Sequence, residues 1–324
     1  MTEEDLKSFL KSADLTDGPV SLRRLKGGYL NSVWRVDAPG VRVVAKEFAE
    51  PMTGTLFPNL PDDEAEALRR LAGLGVAPDL VGYWPEAALL FYEFVEGDMW
   101  DGDMPSVAEL LLRKETADPA GFREVPLTFP DIMAEGDAFF ARCQHMLASA
   151  PPPAPEVPAL EKLSLIHTDI GVNLVGSGAA LRLIDWQCPA AGDICEDIYS
   201  FLSPAFQILA ERKPLTGAEV DAFWEALARP DLAERYALLR PAYAWRFAGY
   251  CAWRAEVLAD AEICARYRRA LGAELDYMRQ TALSSTPPST VSAFGITSRI
   301  SPDLTPSPLR ISRGQWAFRA SAFR

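Results

Sequence analysis

The sequence has little histidine and no excess of positive charge, and each shortage argues against a class of function. Only two histidines occur in 324 residues, too few for a zinc site built from histidine ligands. The formal net charge is −13, which argues against a nucleic-acid partner because binding to phosphate backbones needs a positive surface. An acidic surface suits a cationic substrate, although it also serves simply to keep a protein soluble.

Long apolar runs and paired cysteines are also missing. The five cysteines are an odd number without metal-ligand spacing, which indicates a reducing compartment rather than a disulfide framework. No apolar run approaches the length of a membrane span, and MTEEDLKSFLKSADL predicts an acidic amphipathic helix rather than a targeting signal. We therefore expect a cytoplasmic protein without membrane contacts, whose 49% hydrophobic content is sufficient for two lobes.

The most informative stretch is LIHTDIGVNLVGSGAALRLIDWQ, residues 165–187, in which polar side chains follow short apolar runs. The pattern predicts short strands joined by a polar turn and a glycine turn, which would bring Asp169, Asn173 and Asp185 to one edge. A carboxylate there can accept a hydroxyl proton, and an amide with a second carboxylate can hold magnesium on phosphate groups. These residue types indicate metal-assisted phosphoryl transfer.

The same stretch resembles the motif of the aminoglycoside phosphotransferase and choline kinase family, relatives of the protein kinases. That motif is His-x-Asp, then Asn, an apolar run and Asp-Trp, matched here by His167, Asp169, Asn173, Asp185 and Trp186. The resemblance implies that Asp169 is the catalytic base, that Asn173 and Asp185 bind Mg²⁺, and that His167 shapes the loop. It also implies ATP as the phosphoryl donor.

A second element, CPAAGDICEDIYSFLSP, resembles the Gly-Asp-x-x-x-Asp pattern of that family, which implies that Asp197 braces the catalytic loop. One spacing departs from the family pattern: three residues separate Asp169 from Asn173, where four are usual. An extended residue spans about 3.3–3.6 Å, whereas magnesium tolerates only small changes in ligand distance. The sequence thus leaves open both an active kinase and a catalytically impaired, kinase-like nucleotide-binding protein.

The N-terminal part predicts a small antiparallel sheet, with three strands over residues 20–48. Its first turn, KGGYLNS, can lay backbone amides over phosphates, because Gly27 and Gly28 allow close approach and Asn31 can fix the turn. A plain hairpin turn is the alternative. The order of parts along the chain matches the family, which favours the phosphate-binding interpretation.

A lysine and a glutamate complete the expected nucleotide site. Lys46 in VVAKEF is either a lysine reaching out from a strand edge or a cation that binds phosphates. The helix predicted over residues 61–75 would provide its carboxylate partner, for which Glu64 matches the family best and Glu66 is the second candidate. YEFV resembles the hinge between lobes of kinase-like folds, where the Glu93 carbonyl and the Val95 amide would bind adenine.

We expect an α+β protein with a bilobal, protein-kinase-like fold, comprising a small N-terminal antiparallel sheet lobe and a larger, mainly helical C-terminal lobe. The nucleotide-binding lobe is predicted at residues 1–97 and the catalytic and substrate lobe at 98–282. Residues 283–324 contain no lysine or glutamate and are rich in Ser, Thr and Pro, which predicts a disordered tail.

The predicted activity is transfer of the ATP γ-phosphoryl group to a hydroxyl of a small molecule such as an amino alcohol, an aminoglycoside or a sugar. Tyr243, Phe247 and Tyr250 share one face of a predicted helix; they are either core or part of an acceptor pocket. A protein kinase is a weaker alternative, because the segment after Asp185 lacks the Phe-Gly and Ala-Pro-Glu landmarks. The sequence does not indicate an oligomeric state.

Overall fold

A five-stranded antiparallel sheet forms the N-terminal part of the computed structural model, which describes residues 1–16, 18–25, 30–145, 150–171 and 173–283. After helix α1 (Glu3–Ser12), the sheet has the order β1-β2-β3-β5-β4. Its strands are β1 (Ser21–Arg24), β2 (Ser32–Ala38), β3 (Val41–Glu47), β4 (Leu80–Trp84) and β5 (Leu89–Glu93), and helix α2 (Pro61–Leu71) lies between β3 and β4.

The alternation of side chains along β3 gives the sheet two covered faces. Val43 and Ala45 belong to an apolar cluster with Leu6 and Leu10 of α1. Val44 belongs instead to the large core that contains the apolar face of α2. Lys46 has the same parity as Val44, so the strand period directs this lysine toward α2 rather than toward solvent.

Gly97 begins the connection from the sheet to the helical lobe. Its φ is +130°, and a Cβ on it would lie 2.9 Å from the Cα of Gly176, so the close crossing of the two chains requires glycine. The Gly176 amide donates to the Asp98 carbonyl at 2.8 Å, and the Trp100 amide donates to the Leu174 carbonyl at 2.9 Å. The connection is therefore fastened to the segment that follows the catalytic loop.

Four short strands carry the catalytic segment, after helices α3 (Met104–Lys114) and α4 (Phe129–Phe140). Strand β6 (Ser164–Ile166) pairs with β9 (Ala190–Gly192), and β7 (Leu174–Val175) pairs with β8 (Arg182–Leu183). The strands predicted on either side of the glycine turn are β7 and β8, which form an antiparallel hairpin. In the sequence this hairpin lies between β6 and β9, the two strands of a second antiparallel pair. Asn173 and Asp185 flank the hairpin at its open end.

Helices make up the rest of the described chain: α5 (Ile194–Leu202), α6 (Pro204–Leu209), α7 (Gly217–Leu227), α8 (Pro230–Val257) and α9 (Ala261–Leu283). The side chains of Asp193, Ser203 and Thr216 cap α5, α6 and α7, and each accepts a hydrogen bond from a backbone amide in the first turn of its helix. Helix α8 packs on α4, α5 and α9. No helix in the described ranges is both long and apolar enough to cross a bilayer.

Two prolines have different effects on the helices of the C-terminal lobe. Pro241 would be expected to break or kink the long helix; it does not break it, because α8 continues through this proline to Val257. Pro204 instead divides the segment IYSFLSPAFQILAERK into α5 and α6, where Ser203 caps the second helix. The chain divides into two units, Met1–Pro287 and Pro288–Arg324, and the second unit lies outside the described residues.

Candidate active site

Lys46 stands at the centre of the candidate site, between carboxylates from two different parts of the fold. Its Nζ lies 2.5 Å from Oε2 of Glu64 on α2 and 2.5 Å from Oδ1 of Asp185 after β8. Lys46 and Glu64 are each 1% exposed, whereas the Asp185 side chain is 34% exposed. Asp185 can therefore meet a ligand in the cleft while Glu64 fixes the lysine from behind.

Burial and neighbouring charges set the protonation of this group. Burial by itself would lower the pKa of Lys46, but Asp185 and Glu64 outweigh it and raise the pKa above its usual value. Burial raises the pKa of Glu64 to about 7, although Lys46 opposes the change. Lys46 is consequently a permanent cation at neutral pH, as binding to phosphate groups requires.

Glu64 rather than Glu66 is the partner of Lys46. Glu64, Leu68 and Leu71 lie at i, i+4 and i+7 on the buried face of α2. Glu66 lies elsewhere on the helix and accepts a hydrogen bond from Arg70 Nε at 2.7 Å. The structure thus separates the two glutamates that the sequence left as alternatives.

His167 is fully buried in the catalytic loop and holds the loop by both ring nitrogens. Its Nδ1 accepts the Asp169 amide at 3.2 Å, so Nε2 carries the proton and donates to the Ile184 carbonyl at 3.0 Å. Burial lowers the pKa of His167, which favours this neutral tautomer. The imidazole links the loop that bears Asp169 to the residue preceding Asp185.

Asp197 on α5 braces the same loop from the other side. Its carboxylate accepts the amides of His167 at 3.0 Å and Thr168 at 2.8 Å, and it lies 3.0 Å from Lys114 Nζ. Asp197 and Lys114 are both completely buried. Thr168 has a φ of +70°, an unfavourable conformation for a β-branched residue, and these hydrogen bonds hold it in place.

Asp169 follows this braced turn and is partly exposed. Burial raises its pKa from 3.8 to about 7, and the nearby charge of Asp185 adds to the increase. A carboxylate whose pKa is close to neutrality can take up a proton and release it again under ordinary conditions. The environment is therefore suitable for a general base.

Two hydrogen bonds tie Asn173 to Asp169 and Ile170. The Asn173 amide donates to the Ile170 carbonyl at 2.7 Å, and its side-chain Nδ2 donates to the Asp169 carbonyl at 2.7 Å. The Asn173 carbonyl accepts the Ile184 amide at 2.8 Å, which places Asn173 close in the fold to the Ile184–Asp185 segment. With Nδ2 engaged by the loop, the amide oxygen Oδ1 is left as an acceptor.

Asn173 and Asp185 are suitable ligands for Mg²⁺. Their amide and carboxylate oxygens are the hard donors that magnesium prefers, and magnesium sites on phosphates commonly use only one or two protein groups. Among the described residues there is no cluster of three or more His, Cys, Asp or Glu side chains able to hold a metal alone. The chemistry of the two side chains, an amide oxygen and a carboxylate, fits Mg²⁺.

A buried network of side-chain amides joins the two lobes beside these charges. Asn31 and Asn59 exchange two hydrogen bonds of 2.9 Å, and Asn31 Nδ2 also donates to Gln187 Oε1 at 3.0 Å. Both asparagines bind the backbone of Ala49, through its amide and its carbonyl respectively. Asn31, the residue before β2, is thus joined to the residues that follow Lys46 and Asp185.

The other predicted nucleotide contacts are less fully described. Gly27 and Gly28 lie outside the described residues. Glu93 ends β5, where its amide donates to the Asp79 carbonyl at 2.9 Å, and Val95 follows in the connection to the helical lobe. The adenine-binding roles of Glu93 and Val95 stay predictions.

An aromatic cluster lies next to the catalytic loop. Phe206 stacks on Phe247 with ring centroids 4.1 Å apart, and Tyr250 lies 5.9 Å from Phe247. A Cβ on Gly171 would lie 3.2 Å from the Phe206 ring, so the cluster touches the loop that contains Asp169. Tyr243, Phe247 and Tyr250, which were predicted either as core or as pocket walls, are all buried, and Phe247 stacks on the ring that touches the loop.

Residues 49–60, which we call the crossing loop, connect β3 with α2 and reach this cluster from the N-terminal lobe. Phe57 of the loop lies 5.3 Å from the Tyr250 ring, with an edge-to-face geometry. Arg142 donates to the Gly54 carbonyl, and its guanidinium lies 3.6 Å from the centre of the Trp253 ring. The crossing loop therefore contacts the aromatic cluster beside the loop that contains Asp169.

Several residues of the site were not predicted from the sequence. Lys114 had only a weak signal, a lysine at the end of the apolar run AELLLRK. Asn59 and Gln187 had none, because they lie 28 and 156 residues from Asn31, the partner that they share. Phe57 lies in a segment whose composition resembles an ordinary loop.

Comparison with solved structures gives 220 similar chains. A choline/ethanolamine kinase family protein from Mesorhizobium loti is 15% identical with a TM-score of 0.58, covering 86% of this chain and 100% of that one. A choline kinase from Streptococcus pneumoniae is 18% identical with a TM-score of 0.57, covering 85% and 99%. A spectinomycin phosphotransferase in complex with ADP and spectinomycin is 11% identical with a TM-score of 0.56, covering 88% and 98%.

These similarities confirm the predicted bilobal, kinase-like fold, and the neighbours are of the same kinds that the sequence motifs resemble. No family model matches the chain. No curated protein matches it by sequence either.

Proposed function

We propose that this protein, which has the fold of the choline kinases and aminoglycoside phosphotransferases, transfers the γ-phosphoryl group of ATP to a hydroxyl group of a small molecule. The observation that carries the proposal is the group of Lys46, Glu64 and Asp185, which meet within 2.5 Å although they come from distant parts of the sequence. Asp169, whose pKa is raised to about 7, interacts electrostatically with the same Asp185. A cation for phosphates and a base for a hydroxyl thus share one cleft.

In this proposal each residue has a distinct role. Lys46, held by Glu64, binds the phosphates of ATP, for which the spectinomycin phosphotransferase with bound ADP is a structural parallel. Asn173 and Asp185 would hold Mg²⁺, which neutralises charge on the phosphates when bound. The glycine-containing turn, Glu93 and Val95 complete the proposed nucleotide site.

Asp169 orients the acceptor hydroxyl and takes its proton. The hydroxyl oxygen forms a bond to the γ-phosphorus as the bond between that phosphorus and the β,γ-bridging oxygen breaks, and ADP leaves. His167 and Asp197 do not touch the acceptor; they hold the backbone of the turn so that the carboxylate has a fixed direction. Such positioning accounts for most of the catalysis expected of a phosphotransferase.

The acceptor is expected beside the aromatic cluster under the crossing loop. Phe206 touches Gly171, and burial, with a contribution from the charge of Asp169, raises the pKa of Tyr250. The cluster is therefore an apolar wall beside the proposed base. We propose a small hydroxyl compound as substrate and a cytoplasmic location, with the lobe limits at residues 97 and 282.

Substrate-stimulated ADP release from ATP and Mg²⁺, measured over a panel of small hydroxyl compounds, tests the proposal. Asp169→Asn should abolish turnover and retain nucleotide binding, and undiminished turnover in this variant would remove the role of Asp169. Glu64→Gln and Glu66→Gln form a matched pair, because only Glu64 contacts Lys46. We expect weakened ATP binding in the first variant and wild-type binding in the second.

A catalytically impaired nucleotide-binding protein is the second candidate, favoured by the three-residue connection between Asp169 and Asn173. Thermal unfolding with ATP separates the two candidates, since a ligand at 100 times its dissociation constant stabilises by about 2.7 kcal/mol. A competent site should show additional stabilisation when Mg²⁺ is present. Stabilisation by ATP that is independent of metal, without ADP release, would favour the impaired protein.

A further inference from the structure

A small cavity lies directly behind the catalytic turn. Thr168, the residue before Asp169, forms one wall, and Phe57 of the crossing loop together with Phe206 and Phe247 form the apolar walls. Leu56 and Tyr199 also line the cavity, and Glu196 and Arg246 add the charged part of the lining. The space has room for about one water-sized group, so it can take a single small polar substituent and no bulky one.

Glu196 and Arg246 form a buried ion pair that is only partly satisfied. Arg246 Nη2 lies 2.7 Å from Glu196 Oε1, and the two side chains are 6% and 7% exposed. Among the described residues, Glu196 Oε2 and Arg246 Nε have no hydrogen-bond partner. Arg246 Nη1 donates to Glu135 Oε2 at 3.3 Å, and this hydrogen bond uses neither of the two unpaired atoms.

Leaving such atoms unpaired is costly. A buried polar group without a partner costs about 1–3 kcal/mol, and charged groups cost more. Folded proteins therefore pair nearly all of them, either internally or with a bound molecule. Here one acceptor remains on Glu196 and one donor on Arg246, and both residues line the same cavity beside the proposed base. Tyr199 lines this cavity too, and its hydroxyl is a third buried group without a partner among the described residues.

We propose that this cavity binds a second hydroxyl group of the acceptor, an inference that rests on the proposed phosphotransferase function. A hydroxyl group can donate to Glu196 Oε2 and accept from Arg246 Nε–H, so it satisfies both atoms at once. An ammonium group has no lone pair for the arginine, and a trimethylammonium group has neither a polar hydrogen nor the small size required. The acceptor is accordingly a polyhydroxylated molecule, with its second hydroxyl near the one that Asp169 activates.

Matched acceptors test the subsite in the wild-type protein. Choline and ethanolamine, which have one hydroxyl, are compared with glycerol, myo-inositol and D-glucose, and the best polyol is then compared with its monodeoxy analogues. One of these analogues should lose at least about 10-fold in kcat/KM, because a site built to hydrogen-bond a hydroxyl rejects the analogue that lacks it. Equal kcat/KM for the polyol and every analogue would overturn the subsite and show that the cavity holds only water.

Two substitutions assign the effect to Glu196. Glu196→Gln should lower kcat/KM for the polyol and reduce the discrimination against the critical deoxy analogue. Glu135→Gln is the matched control, since it removes another carboxylate partner of Arg246 but leaves Glu196 Oε2 in place, and it should retain the discrimination. Unchanged discrimination in folded Glu196→Gln would refute the assignment, whereas the comparison of wild-type acceptors decides the proposal if that variant does not fold.

The two proposals fail in different ways. Turnover of single alcohols that equals turnover of polyols would defeat the subsite and leave the phosphotransferase function intact. No ADP release with any acceptor would defeat both. A polyol preference that vanishes in Glu196→Gln and persists in Glu135→Gln is the result expected from the structure.

Discussion

Replacing Asp169 by asparagine should make the protein more stable while it abolishes phosphoryl transfer. The pKa of Asp169 is raised from 3.8 to about 7, mainly because burial disfavours the charged form. A carboxyl group with a raised pKa stabilises the folded state when it is protonated, and that stability is lost as the pH rises through the folded pKa. Asparagine has nearly the same shape and never acquires the charge.

The size of the effect follows from the two pKa values. A shift of about 3 units at 1.36 kcal/mol each gives an upper limit of about 4 kcal/mol at pH 8.5. At pH 5 the folded carboxyl group is protonated but the unfolded one is largely charged, so the same linkage leaves about 2 kcal/mol. Because Asp169 is partly exposed, solvent screening will reduce both values.

Urea denaturation of wild type and Asp169→Asn at pH 5 and pH 8.5, without nucleotide and with a chelator, measures the difference. Asp231→Asn is a control of opposite sign, because Arg229 lowers the pKa of this carboxyl group by hydrogen bonding and neutralisation should destabilise the protein. If Asp169→Asn is no more stable than wild type at pH 8.5, then burial of the charged Asp169 does not destabilise the folded protein. A gain that fails to grow with pH would refute the electrostatic origin.

Two further substitutions probe the parts that hold the site. Asp197→Ala should cost about 3–5 kcal/mol of unfolding free energy, because it leaves Lys114 charged, buried and unpaired, and Asp197→Asn combined with Lys114→Met should cost less in urea denaturation. Asn59→Leu should destabilise by about 1–3 kcal/mol and raise KM for ATP more than it lowers kcat, since Asn31 loses its reciprocal partner; an unchanged KM in steady-state kinetics would argue against a positioning role.

The sequence predicted those parts of the fold that local patterns specify. The three strands predicted over residues 20–48 correspond to β1, β2 and β3, and the lysine, the glutamate helix and the polar turn with Asp169 appear in the predicted order. Functional residues that lie together in one short segment, such as Asp169 and Asn173, can be recognised without tertiary information. The pairing of Lys46 with Glu64 was anticipated from the resemblance to the family, and the strand and helix periods agree with it.

Tertiary packing decided the rest. A proline inside a helix loses one hydrogen bond and costs about 3 kcal/mol, yet α8 continues through Pro241 because the following residues are buried against α4, α5 and α9. The pairing of β6 with β9 spans more than twenty residues and has no local signal. Lys114 required knowledge of which carboxylate would be buried beside it.

The junction of Asn31, Asn59 and Gln187 affects how the cleft responds to salt and to pH. The contact of Lys46 with Asp185 depends on charge, and ions at high concentration weaken such attraction wherever water reaches it. The amide junction bears no charge, so it holds the two lobes in register over the whole pH range in which the protein is folded. Activity lost in mild acid is then a matter of protonating Asp169 and Glu64, while the two lobes stay joined.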